Sequence, residues 1–193
     1  MVVMGIDPGF ANTGFGVVRL AGNKLEPIDG GVIEAPPDEP AEQRLVRIHG
    51  SVAELIGWHE PEAVALEDLY FGKNVRSAIG VGQARGVVML AAAERGVRCF
   101  DYTPQAVKMA VCASGAADKQ QVQTMVASLL RLPEPPQSDH AADALAVAIC
   151  HAGHSRPRNG HVAATSGSGT HRVLAGGRRY RATLPDEGRQ AAS

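Results

Sequence analysis

The chain has 193 residues, 45% hydrophobic and 20% charged, the composition of an ordinary soluble globular domain with one good core, and one domain with a tail is expected. The opening apolar run is broken by Asp7, too soon for a signal peptide, and no later stretch approaches a membrane span, so a cytoplasmic protein without a membrane partner is expected. Cys99, Cys112 and Cys150 are odd in number and lack a Cys-x-x-Cys pair, which argues against a disulfide framework or a zinc site, and the formal charge of -1 conceals strongly segregated blocks.

In chain order, Val2 to Asp7, Thr13 to Leu20 and roughly Lys24 to Glu34 read as strands of a short-range meander, with a bulge expected at Gly30-Gly31. Beyond Pro36-Pro37, the stretch Ala41 to Trp58 sets Leu45, Ile48, Val52, Leu55 and Ile56 on one helical face. A short strand, Ala63 to Glu67, follows Pro61. Arg76 to Arg95 predicts a second helix ended by Gly96; its Gly80, Gly82 and Gly86 each cost about 1 kcal/mol relative to Ala, which close packing on another helix or subunit would offset. Val97 to Tyr102 fits a strand, and Pro104 to Val111, Lys119 to Leu130 and Ser138 to Ala152 fit helices. Strands first, then alternating helices and strands, describe an α/β domain with helices on a mixed sheet. From about His154 the apolar periodicity is lost in favour of Gly, Ser and Arg, so residues 1–153 are expected to form the domain and residues 154–193 a disordered basic tail.

Three carboxylates hold comparable stations. Asp7 ends the first strand, Glu67 ends the apolar run Ala63-Val64-Ala65-Leu66, and Asp143 opens the apolar helical stretch Ala144 to Ile149. Such groups repel one another when they converge. Hard dications neutralise them, and phosphoryl transfer is the usual use of the arrangement. The charge blocks suit that reading. Up to position 71 there are 4 basic and 12 acidic residues, from 72 to 131 there are 8 and 3, from 132 to 153 none and 3, and beyond that 7 and 2. Basic segments flanking acidic ones can grip phosphates around a cation site, although solvated helix faces give the same counts.

Four ordered pieces carry a resemblance: Gly5-Ile6-Asp7-Pro8-Gly9 with Thr13-Gly14-Phe15-Gly16; Ala65-Leu66-Glu67-Asp68-Leu69-Tyr70-Phe71 with Lys73-Asn74; Gly82-Gln83-Ala84-Arg85-Gly86; and Asp139-His140-Ala141-Ala142-Asp143-Ala144-Leu145-Ala146. Together, from the first residues to about 153, they resemble the RuvC family of Holliday junction resolvases. The resemblance implies a ribonuclease H-like fold with a mixed five-stranded sheet, a homodimer, and paired symmetric nicks in a four-way DNA junction during recombination and repair. It further implies hydrolysis to 5′-phosphate and 3′-hydroxyl ends, with RuvA and RuvB as branch-migration partners. By the same resemblance Asp7, Glu67 and Asp143 would hold two magnesium ions, or manganese as a substitute.

His140 stands three residues before Asp143, where family members carry either an acidic residue or His, and i, i+3 spacing lets both face one site. It is preferred over Asp139, whose other reading is a helix cap, as the fourth catalytic and metal residue. Tyr70 and Phe71 could wedge against unstacked bases, and Lys73, Asn74, Arg76, Arg85, Lys108 and Lys119 are DNA-binding candidates; Arg85 could instead support the dimer or cap a helix. Rival readings are an ATP-binding protein of the actin and sugar-kinase type, another ribonuclease H-like nuclease, and a junction-binding module without catalysis. The first requires two lobes and a second phosphate hairpin, which this chain lacks.

Overall fold

The computed structural model describes residues 1–68 and 75–155. Period-two alternation of apolar residues builds β1 (Val2–Asp7), β2 (Asn12–Ala21) and β3 (Lys24–Glu34), joined as antiparallel neighbours. The β2–β3 connection is the two-residue turn Gly22-Asn23. Gly22 has φ +59°, a conformation that a residue without Cβ adopts freely. β4 (Ala63–Glu67) pairs parallel to β1, and β5 (Arg98–Tyr102) parallel to β4. The strand order β3-β2-β1-β4-β5 is the expected mixed five-stranded sheet.

The bulge lies elsewhere than expected. Gly30 and Gly31 pair regularly with Gly16 and Phe15, whereas the register shifts between Val17, opposite Asp29, and Val18, opposite Pro27. Ile28 is therefore the extra residue. Pro27 has no N–H for the ladder, so it is tolerated at a bulge on an edge strand, and β3 is at the edge.

Among the described residues, two helices cover one face of the sheet and three the other. α1 (Ala41–His59) and α2 (Val75–Glu94) bury Ile48, Val52, Leu55, Ile56, Ala84 and Val88 against Met4, Ile6, Val64 and Leu66. Leu45, expected on the same α1 face, is only half-buried. On the opposite face α3 (Pro104–Cys112), α4 (Lys119–Leu130) and α5 (Asp139–His154) share a core with Val3, Val18 and Ala65. The helix starts are fixed locally. The Thr103 side chain caps α3 by accepting from Ala106 N at 3.2 Å, and Asp118 and Gln121 form a reciprocal capping box that begins α4 at Lys119. α5 lies between the sheet and the other two helices, so it buries every residue from Ala144 to Ala152. Among the described residues, no helix is long and apolar enough to cross a membrane.

Candidate active site

The strand period positions the first two carboxylates. In β1 and β4 the even positions Met4, Ile6, Val64 and Leu66 face α1 and α2, while Val3 and Ala65 face α5. Asp7 and Glu67 continue that second series. Ile6 pairs with Leu66 in the parallel ladder, so the next step along each strand brings Asp7 beside Glu67 at the same sheet edge.

Glycines let the third carboxylate approach. Gly5 pairs with Gly16, and Gly16 with Gly30, a row without side chains on which α5 lies. A Cβ on Gly5 would stand 1.9 Å from the Ala144 carbonyl oxygen, and one on Gly14 would stand 2.0 Å from that of His140. The helix backbone thus rests directly on the sheet backbone. Asp7 pairs with Gly14 in the ladder, so the first turn of α5 sits over Asp7.

His140 Nδ1 lies 2.7 Å from Asp7 Oδ2. That hydrogen bond raises the His140 pKa above its ordinary value against the opposing effect of burial, and the Asp7 and Asp143 charges add to the rise. Burial raises the Asp143 carboxyl, with Lys119 pulling it down and Asp7 pushing it up. Glu67 is shifted furthest: burial, then the charges of Asp143 and Asp7, push its pKa up to about 7, while Lys108 and Lys119 act against the rise. Lys119 Nζ is 2.9 Å from Asp139 Oδ2 and 3.5 Å from Asp143 Oδ2. Asp139 is mostly exposed, also accepts from Gln123 Nε2 at 2.7 Å, and has its pKa lowered chiefly by the Lys119 hydrogen bond. Ser138, not Asp139, is the residue at the N-cap of α5.

Asp7, Glu67, His140 and Asp143 therefore converge, with Lys108 and Lys119 at the margin. Among the described residues, no three His, Cys, Asp or Glu side chains are drawn close enough to hold a metal as they stand. Asp7 is partnered by His140 and Asp143 by Lys119. The donor set nevertheless fits a hard dication. It is rich in carboxylate oxygen, and a dication would relieve the Asp143 and Asp7 charges that add to burial in raising the Glu67 pKa.

The turn after β1 is held by residues whose importance the sequence did not disclose. Buried Thr13 donates its hydroxyl to Gly9 O at 2.7 Å, and Arg44 of α1 donates to Phe10 O at 2.8 Å and Ala35 O at 3.2 Å while stacking 4.1 Å from the centre of the Phe10 ring. Thr13 opens the Thr13-Gly14-Phe15-Gly16 motif, whereas nothing in the spacing of Arg44 points to Phe10. Arg85, expected at a DNA phosphate, is turned inward instead: it pairs with Asp101 and donates to Glu67 O at 3.0 Å. Tyr70, Phe71, Lys73 and Asn74 lie outside the described residues, as do the Arg76 side chain and nearly all of the expected tail.

The family described as crossover junction endodeoxyribonuclease RuvC matches residues 3–151. A protein of that name from Pelotomaculum thermopropionicum is 51% identical over 154 residues, covering 80% of this chain and 94% of the relative. The Thermus thermophilus RuvC structure superposes with a TM-score of 0.76 at 43% identity, covering 80% of this chain and 95% of that one. T. thermophilus RuvC in complex with Holliday junction substrate gives 0.78 at 44% identity, covering 81% and 95%. The sheet order and its flanking helices are accordingly a ribonuclease H-like fold.

Proposed function

The chain belongs to the RuvC family of crossover junction endodeoxyribonucleases, and from that membership we propose that it resolves four-way DNA junctions by paired symmetric nicks in recombination and repair. The observation that carries the reading is the convergence of Asp7, Glu67, Asp143 and His140 at one sheet edge, beneath a helix that packs on glycine backbone. The reaction is metal-dependent hydrolysis of a phosphodiester, leaving 5′-phosphate and 3′-hydroxyl ends.

Asp7, Glu67 and Asp143 would hold two magnesium ions, which supply Lewis-acid activation of water and charge stabilisation at the leaving 3′ oxygen. Manganese, also suited by carboxylate oxygen ligands, would substitute for magnesium. The protein residues divide the remaining work. With Nδ1–H donating to Asp7 Oδ2, the neutral His140 ring has Nε2 as its acceptor, and that nitrogen takes the proton of the attacking water. Lys108 and Lys119 bind the phosphate and limit repulsion among the carboxylates, consistent with the way both lower the Glu67 pKa. A cation held by Asp143 would take the place of Lys119 as its partner.

A homodimer supplies two equivalent sites for two equivalent strands. Its interface is the α2 face on which exposed Ile79 and Leu90 flank Gly82 and Gly86, over which a Cβ would meet only open space. Tyr70 and Phe71 meet the junction centre while Lys73, Asn74 and Arg76 hold backbone phosphates, and the residues that follow α5 are a basic tail rich in Gly, Ser and Arg. RuvA and RuvB are its branch-migration partners, in the cytoplasm.

The test is cleavage of a labelled synthetic four-way junction beside a linear duplex and an RNA/DNA hybrid, with magnesium, manganese or chelator. Symmetric metal-dependent nicks in the junction alone, lost in Asp7→Asn while binding persists, are expected. Preferential cutting of the hybrid, or binding without cleavage, would overturn the assignment.

A further inference from the structure

We propose that Arg85 is a positioning residue for Glu67, acting through the backbone rather than on DNA; the proposal rests on the active-site reading above. β4 ends at Glu67, and from there the chain must leave the sheet. The next amide, Asp68 N, still donates to Tyr102 O at 2.7 Å, which keeps the strand end registered on β5. The Glu67 carbonyl is taken by Arg85 Nη1 at 3.0 Å, reaching across from α2. The other terminal nitrogen of the same guanidinium pairs with Asp101, which lies on β5 opposite Leu66 in the ladder. One planar fork thus joins the backbone of a carboxylate station to the neighbouring strand. Its side chain is only 12% exposed, so it is poorly placed to meet a phosphate.

This restraint acts where a force opposes it. Glu67 is half-buried beside two other carboxylates, and their repulsion favours withdrawal of its side chain and of the strand end that bears it. Fixing the Glu67 carbonyl removes backbone freedom from that end, leaving only side-chain torsions to bring the carboxylate to a cation. The same helix meets the Asp7 side of the site: a Cβ on Gly80 would lie 3.2 Å from Phe10 Cβ, in the turn after Asp7. α2 therefore holds the strand-end backbone at Glu67 and packs on the Phe10 side chain in the turn after Asp7. A lysine at position 85 would retain a charge for Asp101 but lack the rigid fork that bridges both partners.

The experiment compares full-length native protein, Arg85→Lys, Arg85→Gln and Asp101→Asn, with Asp7→Asn as the site control. Manganese affinity is measured without DNA by calorimetry and electron paramagnetic resonance. Junction affinity is measured separately in chelator across a salt series, and cleavage across a manganese series. Residues that orient a metal ligand typically contribute 10- to 100-fold to affinity. Arg85→Gln is expected to weaken manganese binding about tenfold, with Arg85→Lys and Asp101→Asn intermediate, and to lower kcat in a way that excess manganese partly restores. Metal-free junction affinity and its salt slope should stay native. Unchanged manganese affinity would overturn the proposal, whether the variant merely melts earlier or loses a unit of salt slope as a phosphate contact would. Should Arg85→Gln fail to fold, Arg85→Lys and Asp101→Asn decide by the same readings. A native protein that binds no manganese, or Asp7→Asn that binds it equally well, would instead refute the active-site reading itself.

Discussion

Replacing Gly14 by Ala should disable the site while leaving every catalytic residue in the sequence. The added Cβ would stand 2.0 Å from the His140 carbonyl oxygen and 2.4 Å from its carbon, both helix backbone atoms that no rotamer change can move. Ordinary contact begins at 3.4 Å, so α5 or β2 must retreat by about 1.4 Å along that contact. Gly14 pairs with Asp7 in the sheet, and His140 Nδ1 is 2.7 Å from Asp7 Oδ2, so the retreat opens that hydrogen bond toward 4 Å at most. A misplacement of about 1 Å at reacting groups costs roughly 100-fold in rate, and overpacking of this kind costs about 1–3 kcal/mol in stability. Single-turnover junction cleavage at saturating manganese, with thermal melting alongside, reads both quantities. Gly50→Ala is the control: it lies within α1 with open space around it, so it should gain up to about 1 kcal/mol and cleave normally. Native cleavage and melting by Gly14→Ala would refute the close-packing argument.

The metal-free protein should lose stability as pH rises. The native Glu67 carboxyl binds its proton up to about pH 7, against 4.5 when unfolded, so the native state holds the extra proton between those values and is destabilised as it leaves. His140, with its pKa raised, acts in the same direction: its contribution is present below the unfolded pKa and disappears as pH passes the folded one. In chelator, Glu67→Gln should flatten the slope and gain on the order of 1–2 kcal/mol near pH 8, after allowance for solvent screening; an unchanged slope in urea titrations would contradict this. His140→Ala should lower cleavage about 100-fold or more and remove the acid limb that a general base imposes on the pH–rate profile. Leu90→Glu or Ile79→Glu places a charge on the exposed α2 face, and sedimentation should show monomer, with single nicks replacing paired ones.

The carboxylate stations could be read from the chain because both strand ends obey a period of two. Val3 and Ala65 share a face, so Asp7 and Glu67 inherit it once the strands are parallel and in register. The glycines in Gly5-Ile6-Asp7 and Thr13-Gly14-Phe15-Gly16 were visible as a motif, but their use as a floor for α5 depends on which helix returns to the sheet, a long-range choice. The bulge illustrates the same limit. Gly30 and Gly31 are locally the more permissive residues, yet the missing N–H of Pro27 sets the shift one step away. Arg85 read as a phosphate ligand because a basic residue in a basic segment usually faces solvent. Only the pairing of β4 with β5 brings Asp101 and the Glu67 carbonyl within its reach. Arg44 was hidden for the same reason: its partners, Phe10 O and Ala35 O, come from two loops brought together by the meander.

The most direct test of the central claim is anomalous diffraction from crystals soaked in manganese. The account predicts density between the carboxylates of Asp7, Glu67 and Asp143, with Lys119 withdrawn from Asp143 and no peak in Asp7→Asn. Manganese bound elsewhere, or a peak that survives in Asp7→Asn, would contradict it.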